Sequence, residues 1–141
     1  MNTFQKLGVL MSMLFLLSAI PAMAQTDNAL TFKAPFAFHA GDAMMPAGTY
    51  TMTPDDSTKI LLIKSEDGSH SAFVHYEYVD SDTPASKTEL TFNKYGETDF
   101  LNRISFEGQD SAIRIQPSPA EQNAAKAADA EQHSISAPSG Q

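Results

Sequence analysis

The chain contains no cysteine and no tryptophan among its 141 residues. The first absence excludes disulfides, cysteine nucleophiles and a lipid anchor on a cleavage-site cysteine, so stability has to come from an ordinary core. The second removes the broadest aromatic platform on which a sugar ring can stack. Basic residues are also scarce: nine Lys and Arg face seventeen Asp and Glu, a formal charge of −8. A surface of that sign repels phosphate backbones and anionic lipid, which argues against nucleic acid as a partner. Gly41, Gly48, Gly68 and Gly96 are isolated, so no glycine-rich loop cradles a phosphate, and no G-x-S-x-G elbow presents a serine nucleophile.

Long apolar runs are confined to the N-terminus. Lys6, the mostly apolar stretch from Leu7 to Ile20, and Ala22-Met23-Ala24 together read as an export signal over residues 1–24, cleaved before Gln25. The apolar stretch falls short of the about 20 residues that a membrane helix needs. The expected product is an exported chain, periplasmic or secreted, soluble and without a membrane span. Losing Lys6 and no acidic residue takes its formal charge to −9. The remaining residues suit one domain.

Between Leu30 and Ile115 the dominant period is two, that of a half-buried strand. In "LTFKAPFAF", Leu30, Phe32, Ala34, Phe36 and Phe38 share one face, with Pro35 marking an edge or a bulge. Burying Phe32, Phe36, Phe38, Tyr50 and Met52 is worth about 1.5–3 kcal/mol each, enough to explain these residues without a ligand. Pro46 and Gly48 fit a type II turn, and Asp67-Gly68 a hairpin turn after "KILLIK". On "SAFVHYEYV", Ala72, Val74, Tyr76 and Tyr78 share the face expected to be core. The spacing predicts an all-β domain over residues 25–117, an antiparallel sandwich or small barrel of about seven strands. After it, Ser118, Pro119 and Glu121 form a helix start in which the serine caps and the glutamate reaches back. A short, frayed Ala-rich helix to about Ala130 and a disordered tail from His133 to Gln141 complete residues 118–141.

The order of these residues is similar to that in a family of small exported bacterial all-β proteins of uncharacterised function. Phe32, Pro35-Phe36 and Phe38 resemble a V-P-F-x-F segment, and Pro46-Ala47-Gly48-Thr49-Tyr50 an L-P-A-G-x-Y segment. Leu90, Phe92, Tyr95-Gly96 and Phe100-Leu101 resemble L-x-F-x-x-Y-G-x-x-[YF]-F-L, and Ser118 with Glu121 a closing S-x-x-E. Ala34 and Met45 depart from the pattern, which has a larger apolar residue and a leucine there. The resemblance implies the β fold and an exported destination, and it transfers no catalytic residue.

The polar residues offer few groupings with the spacing that chemistry requires. His39, Met44 and Met45 offer imidazole and thioether, which suit copper. His70 and His75 are five apart and point to opposite faces of a strand. Asp55-Asp56, Glu66-Asp67 and Asp80-Ser81-Asp82 lack the spaced oxygens of a calcium loop. Glu77 paired with Glu89 or Asp99 is the nearest approach to a glycosidase dyad. The reading is therefore an exported, non-enzymatic domain without catalytic, metal or cofactor residues, binding an unknown protein or glycan of the cell envelope. A small envelope hydrolase and a periplasmic copper-binding protein are the alternatives. The edge from Leu30 to Phe38 is the expected docking strand.

Overall fold

The alternating residues do form strands. The computed structural model describes residues 29–138, so the export signal expected over residues 1–24 and the last three residues lie outside it. In chain order the elements are β1 Leu30–Ala34, β2 Phe38–Ala40, β3 Ala43–Met45, β4 Gly48–Asp55, β5 Ile60–Ser65 and β6 Ser71–Asp80. There follow β7 Glu89–Tyr95, β8 Thr98–Ser105, β9 Ser111–Ile115, α1 Pro119–Ala127 and β10 Ala130–Ser136. Among the described residues the fold is all-β with a single short helix near the C-terminus.

The strands join in the order β1-β4-β5-β6-β9-β8-β2-β3, with β7 on β8 and β10 on β7. Among the described residues all pairings of these strands are antiparallel except a parallel contact of β2 with β8 at His39 and Phe100; outside the strands, a lone parallel bridge joins Ala85 and Glu107. The pivot is β6. Ser71–His75 pair with β5, and Tyr76–Asp80 pair with β9. The switch is visible in the backbone: the Tyr76 N–H donates to the Lys59 carbonyl, while the His75 carbonyl accepts from Gln116 on the other side. One half of the sheet thereby folds over the other, sandwich-like, around one core.

That core is built from the inward rings. Phe38 is fully buried, with its centroid 6.1 Å from Phe32, 5.3 Å from Tyr50 and 5.5 Å from Phe92. Leu61, Ile63, Val74, Tyr76, Leu90, Leu101, Ile104 and Ile113 pack in the same cluster.

Among the described residues ten strands stand where about seven were expected, for three local reasons. "LTFKAPFAF" breaks at Pro35, whose missing N–H cannot extend the ladder, into β1 and β2. Phe36 in the break still points inward, half-buried, with its centroid 5.1 Å from Phe92. The tight turn at Gly41, φ 61°, adds β3; a Cβ there would lie 3.1 Å from a Val74 methyl carbon, so the turn rests on β6. Gly48 does not take the positive φ expected of it, because it pairs with Ala34 as the first residue of β4.

The third reason corrects the expected tail. Ser118 caps α1 by accepting from the Glu121 N–H at 3.2 Å, as its sequence implied. Glu121 does not reach back. Its buried carboxylate accepts from Asn93 Nδ2 at 3.1 Å and from the Tyr95 hydroxyl at 3.4 Å. Asp42 accepts from the Ala120 N–H at 3.1 Å, so the helix is pinned from two sides. Beyond it, residues 130–136, of which 133 onward were expected to be disordered, form β10 along the whole of β7. His133 and Ile135 alternate inward. The His133 ring stacks 5.7 Å from Phe92, and its Nε2 meets the carboxylate of Asp99, whose side chain is 9% exposed.

Replacing His133 with Ala leaves this carboxylate without its imidazole partner and opens the stack. Urea titration is expected to show a loss of about 1–3 kcal/mol. A loss below about 0.5 kcal/mol would show that β10 is held without this contact.

Candidate functional site

The outward face of β1, β4, β5 and β6 carries the largest departure from strand patterning. On a one-sided antiparallel sheet the outward positions should be polar. Here Phe73 is 72% exposed and stands opposite half-buried Leu62, with half-buried Ile60 one rung away. Thr53 completes the Phe73 rung, and Thr31 and Thr51 lie on the next, their hydroxyls 3.4 Å apart. Charges sit toward the margins: Lys64 on the Thr51 rung, Lys33 beside Thr49, and Asp55 opposite Ile60.

This face exists because of the β5–β6 turn. Asp67 Oδ1 accepts from Ser65 Oγ at 2.7 Å, from the Ser69 N–H at 3.0 Å and from Ser69 Oγ at 2.7 Å. Gly68 supplies φ 75°. Together they set the register that places Leu62 opposite Phe73. A slip of one residue would reverse every side chain of β6. The Ser69 and Ser65 hydrogen bonds hold the Asp67 carboxyl down at about 2. A shallow depression of about 350 Å³ lies between this turn and the Pro46–Gly48 turn. Several of its polar groups are already engaged: the Tyr50 hydroxyl donates to the Pro46 carbonyl, and Ser65 and Ser69 donate to Asp67.

At the wet end of the inward face of β6, a second cluster closes the β4–β5 turn. Ala72, Val74 and Tyr76 are core as expected, whereas Tyr78 is 46% exposed. Asp56 accepts from the Tyr76 hydroxyl at 2.8 Å and the Tyr78 hydroxyl at 2.6 Å. Lys59, at φ 57°, sets its ammonium 4.7 Å from the Tyr78 ring centre. The Tyr78 and Tyr76 hydrogen bonds lower the Asp56 pKa. Burial, then the bond to Asp56, raises those of both tyrosines.

The sequence-derived metal candidates divide. His39 and Met44 face each other across β2 and β3, but Met45 pairs with Phe38 and is buried in the core. The His39 ring stacks on Phe100 at 4.7 Å, and its Nδ1 is buried without a hydrogen-bond partner. Among the described residues no group of three His, Asp or Glu is arranged to hold a metal.

The carboxylates proposed for a dyad are dispersed. Glu77 pairs with Arg114 on β9, Glu89 with Lys87, and Asp99 with His133. Glu77 and Asp99 are two strands apart and four residues out of register, about 17 Å at the usual strand spacing and rise. Glu77 and Glu89 are three strands apart, about 14 Å at the usual spacing. The hydroxyls of Ser57, Ser65 and Ser69 donate to carboxylates and do not reach a histidine base.

Phe73 is the residue that sequence reasoning passed over. The alternation on β6 contained the signal: once Val74 and Tyr76 are inward, Phe73 has to be outward.

The chain is thus an all-β, sandwich-like, cysteine-free domain in which, among the described residues, no helix is long and apolar enough to cross a membrane. Compared with known proteins, it matches no family model, no curated relative and no solved structure.

The Asp67 turn makes a pH prediction. Its carboxyl sits at about 2 in the folded chain against about 4 unfolded, so its stabilising contribution is complete above pH 4 and fades as pH falls toward 2. Asp67→Asn keeps an accepting oxygen and removes the titration. Its urea midpoint is expected to fall less between pH 5 and pH 2 than that of the unsubstituted chain, and identical slopes would refute the assignment.

Proposed function

We propose that this chain is an exported, non-enzymatic binding domain, and that its outward face around Phe73 engages a protein or glycan of the cell envelope or its surroundings. The observation that carries the reading is Phe73 itself, a large apolar side chain 72% exposed on a register-locked strand. It makes no core contact that would account for it, and exposed apolar clusters with polar margins mark interaction surfaces. On the same face, Thr53 lies beyond Leu62 on the Phe73 rung and Thr51 and Thr31 on the rung toward the β1 edge, so their hydroxyls supply directional donors and acceptors across the sheet face. The export signal read in residues 1–24 and the similarity to small exported proteins support the destination. The dispersal of Glu77, Glu89 and Asp99 speaks for binding over hydrolysis.

A second reading, copper carriage, rests on His39 opposite Met44 and on the unpartnered Nδ1. Thioether and imidazole together favour Cu(I).

The binding reading is tested with the mature chain and its Phe73→Ser variant, each incubated with isolated cell envelope and with the extracellular polymer fraction. The variant should keep the unfolding free energy of the parent within about 0.5 kcal/mol by urea titration, because the side chain is exposed. Its retention should fall at least about tenfold. Equal retention of the two, or none for the parent, would overturn the proposal. For the copper reading, anaerobic titration with Cu(I) should show one equivalent bound at micromolar affinity or better and lost in His39→Ala; no binding in that range ends it.

A further inference from the structure

Among the described residues the sheet has three open edges, and they are guarded unequally. β1 has five residues, carries Lys33 and runs into Pro35; β3 has three residues and is followed by Pro46. Short length, lysine and proline are the usual devices by which an edge is kept from pairing with another strand. β10 has none of them. It runs for seven residues, Ala130–Ser136, without lysine, arginine, proline or glycine, and it pairs with β7 rung by rung with no bulge. Among the described residues nothing pairs with its other side.

The strand is also held ready. Beyond the His133 contacts, Ser134 shares a hydrogen bond with Thr91 at 3.0 Å, and Gln132 donates to Asn93 at 3.2 Å. A partner strand would therefore meet a template that is already ordered. The direction of its free groups follows from one bond. The Ala137 N–H donates to the Thr88 carbonyl, so odd-numbered residues turn their backbone groups to β7. Those of Gln132, Ser134 and Ser136 turn the other way, and all three residues are exposed.

We infer that the free edge of β10 is a self-association site, where a second copy of this chain adds its own β10 antiparallel across a two-fold axis at Ser134. In that register Ser134 faces Ser134 of the second copy and Gln132 faces Ser136, so the outward backbone groups meet in phase. His133 falls opposite Ile135. Glu131, the one charged residue of the strand, falls opposite Ala137 and never opposite itself. Small side chains at the axis let the backbones close to ladder distance. One strand pair buries less than a standard interface, so the dimer is weak. Copies of a chain with formal charge −9 also repel each other, so the association strengthens with salt.

Sedimentation equilibrium on the mature chain from about 10 μM to about 1 mM is the test, with amide hydrogen exchange read at both ends of the range. The expected result is a rise from monomer toward dimer, steeper at high salt, with slowed exchange at Gln132, Ser134 and Ser136. Ser134→Pro removes an outward N–H that the native ladder does not use and should abolish the rise. Should that variant fail to fold, Ser134→Lys, which sets two lysines face to face, gives the same reading. A chain monomeric throughout, a dimer unchanged by both variants, or protection falling instead on β1 or around Phe73 would overturn the inference.

Discussion

Everything in this molecule is organised around the ring of Phe38. It is fully buried and touches Phe32 and Tyr50 from the β1–β4 pair and Phe92 from β7. For that to happen the chain has to cross from one half of the folded sheet to the other within a few residues. Pro35, Phe36 and Ala37 make the crossing. The proline ends one ladder, Phe36 stays inward against Phe92, and β2 begins beside β8. The break is thus the device that lets two aromatic positions of one alternating stretch face each other across the core.

Two polar contacts decide how the C-terminal segment is used. An Ala-rich helix offers little area for docking, and a nine-residue helix is marginal by itself. Here the buried Glu121 carboxylate, held by Asn93 and Tyr95, and the Asp42 bond to the helix start supply direction that methyl groups cannot. The helix then delivers the chain to β7, where His133 closes over Phe92 and satisfies Asp99. An unpaired carboxylate at that depth would be costly, so the tail completes the domain.

The outer surfaces inherit their character from these inner constraints. Once Val74 and Tyr76 are committed to the core and the Asp67 turn sets the hairpin register, Phe73 has nowhere to go but outward. The candidate carboxylates Glu77, Glu89 and Asp99 sit on different strands and are each paired with a nearby cation or imidazole. What the surface presents is an apolar and hydroxyl-bearing sheet face and one unguarded edge.

The sequence by itself determined the all-β class, the inward rings of Phe32, Phe36, Phe38 and Tyr50, the turn at Asp67-Gly68, and the serine-capped helix. These follow from local chemistry, since alternation, φ preference and capping act within a few residues. It also held the alternation of His133, Ile135 and Ala137, but that pattern has meaning only once β7 offers a ladder. Only the tertiary structure decided that Glu121 turns to Asn93 and not back to its own cap, that His39 meets Met44 while Met45 goes to the core, and that Glu77, Glu89 and Asp99 stay apart. Each of these depends on which strands become neighbours, and that is set by burying a shared core, a property of the whole chain and not of any stretch within it.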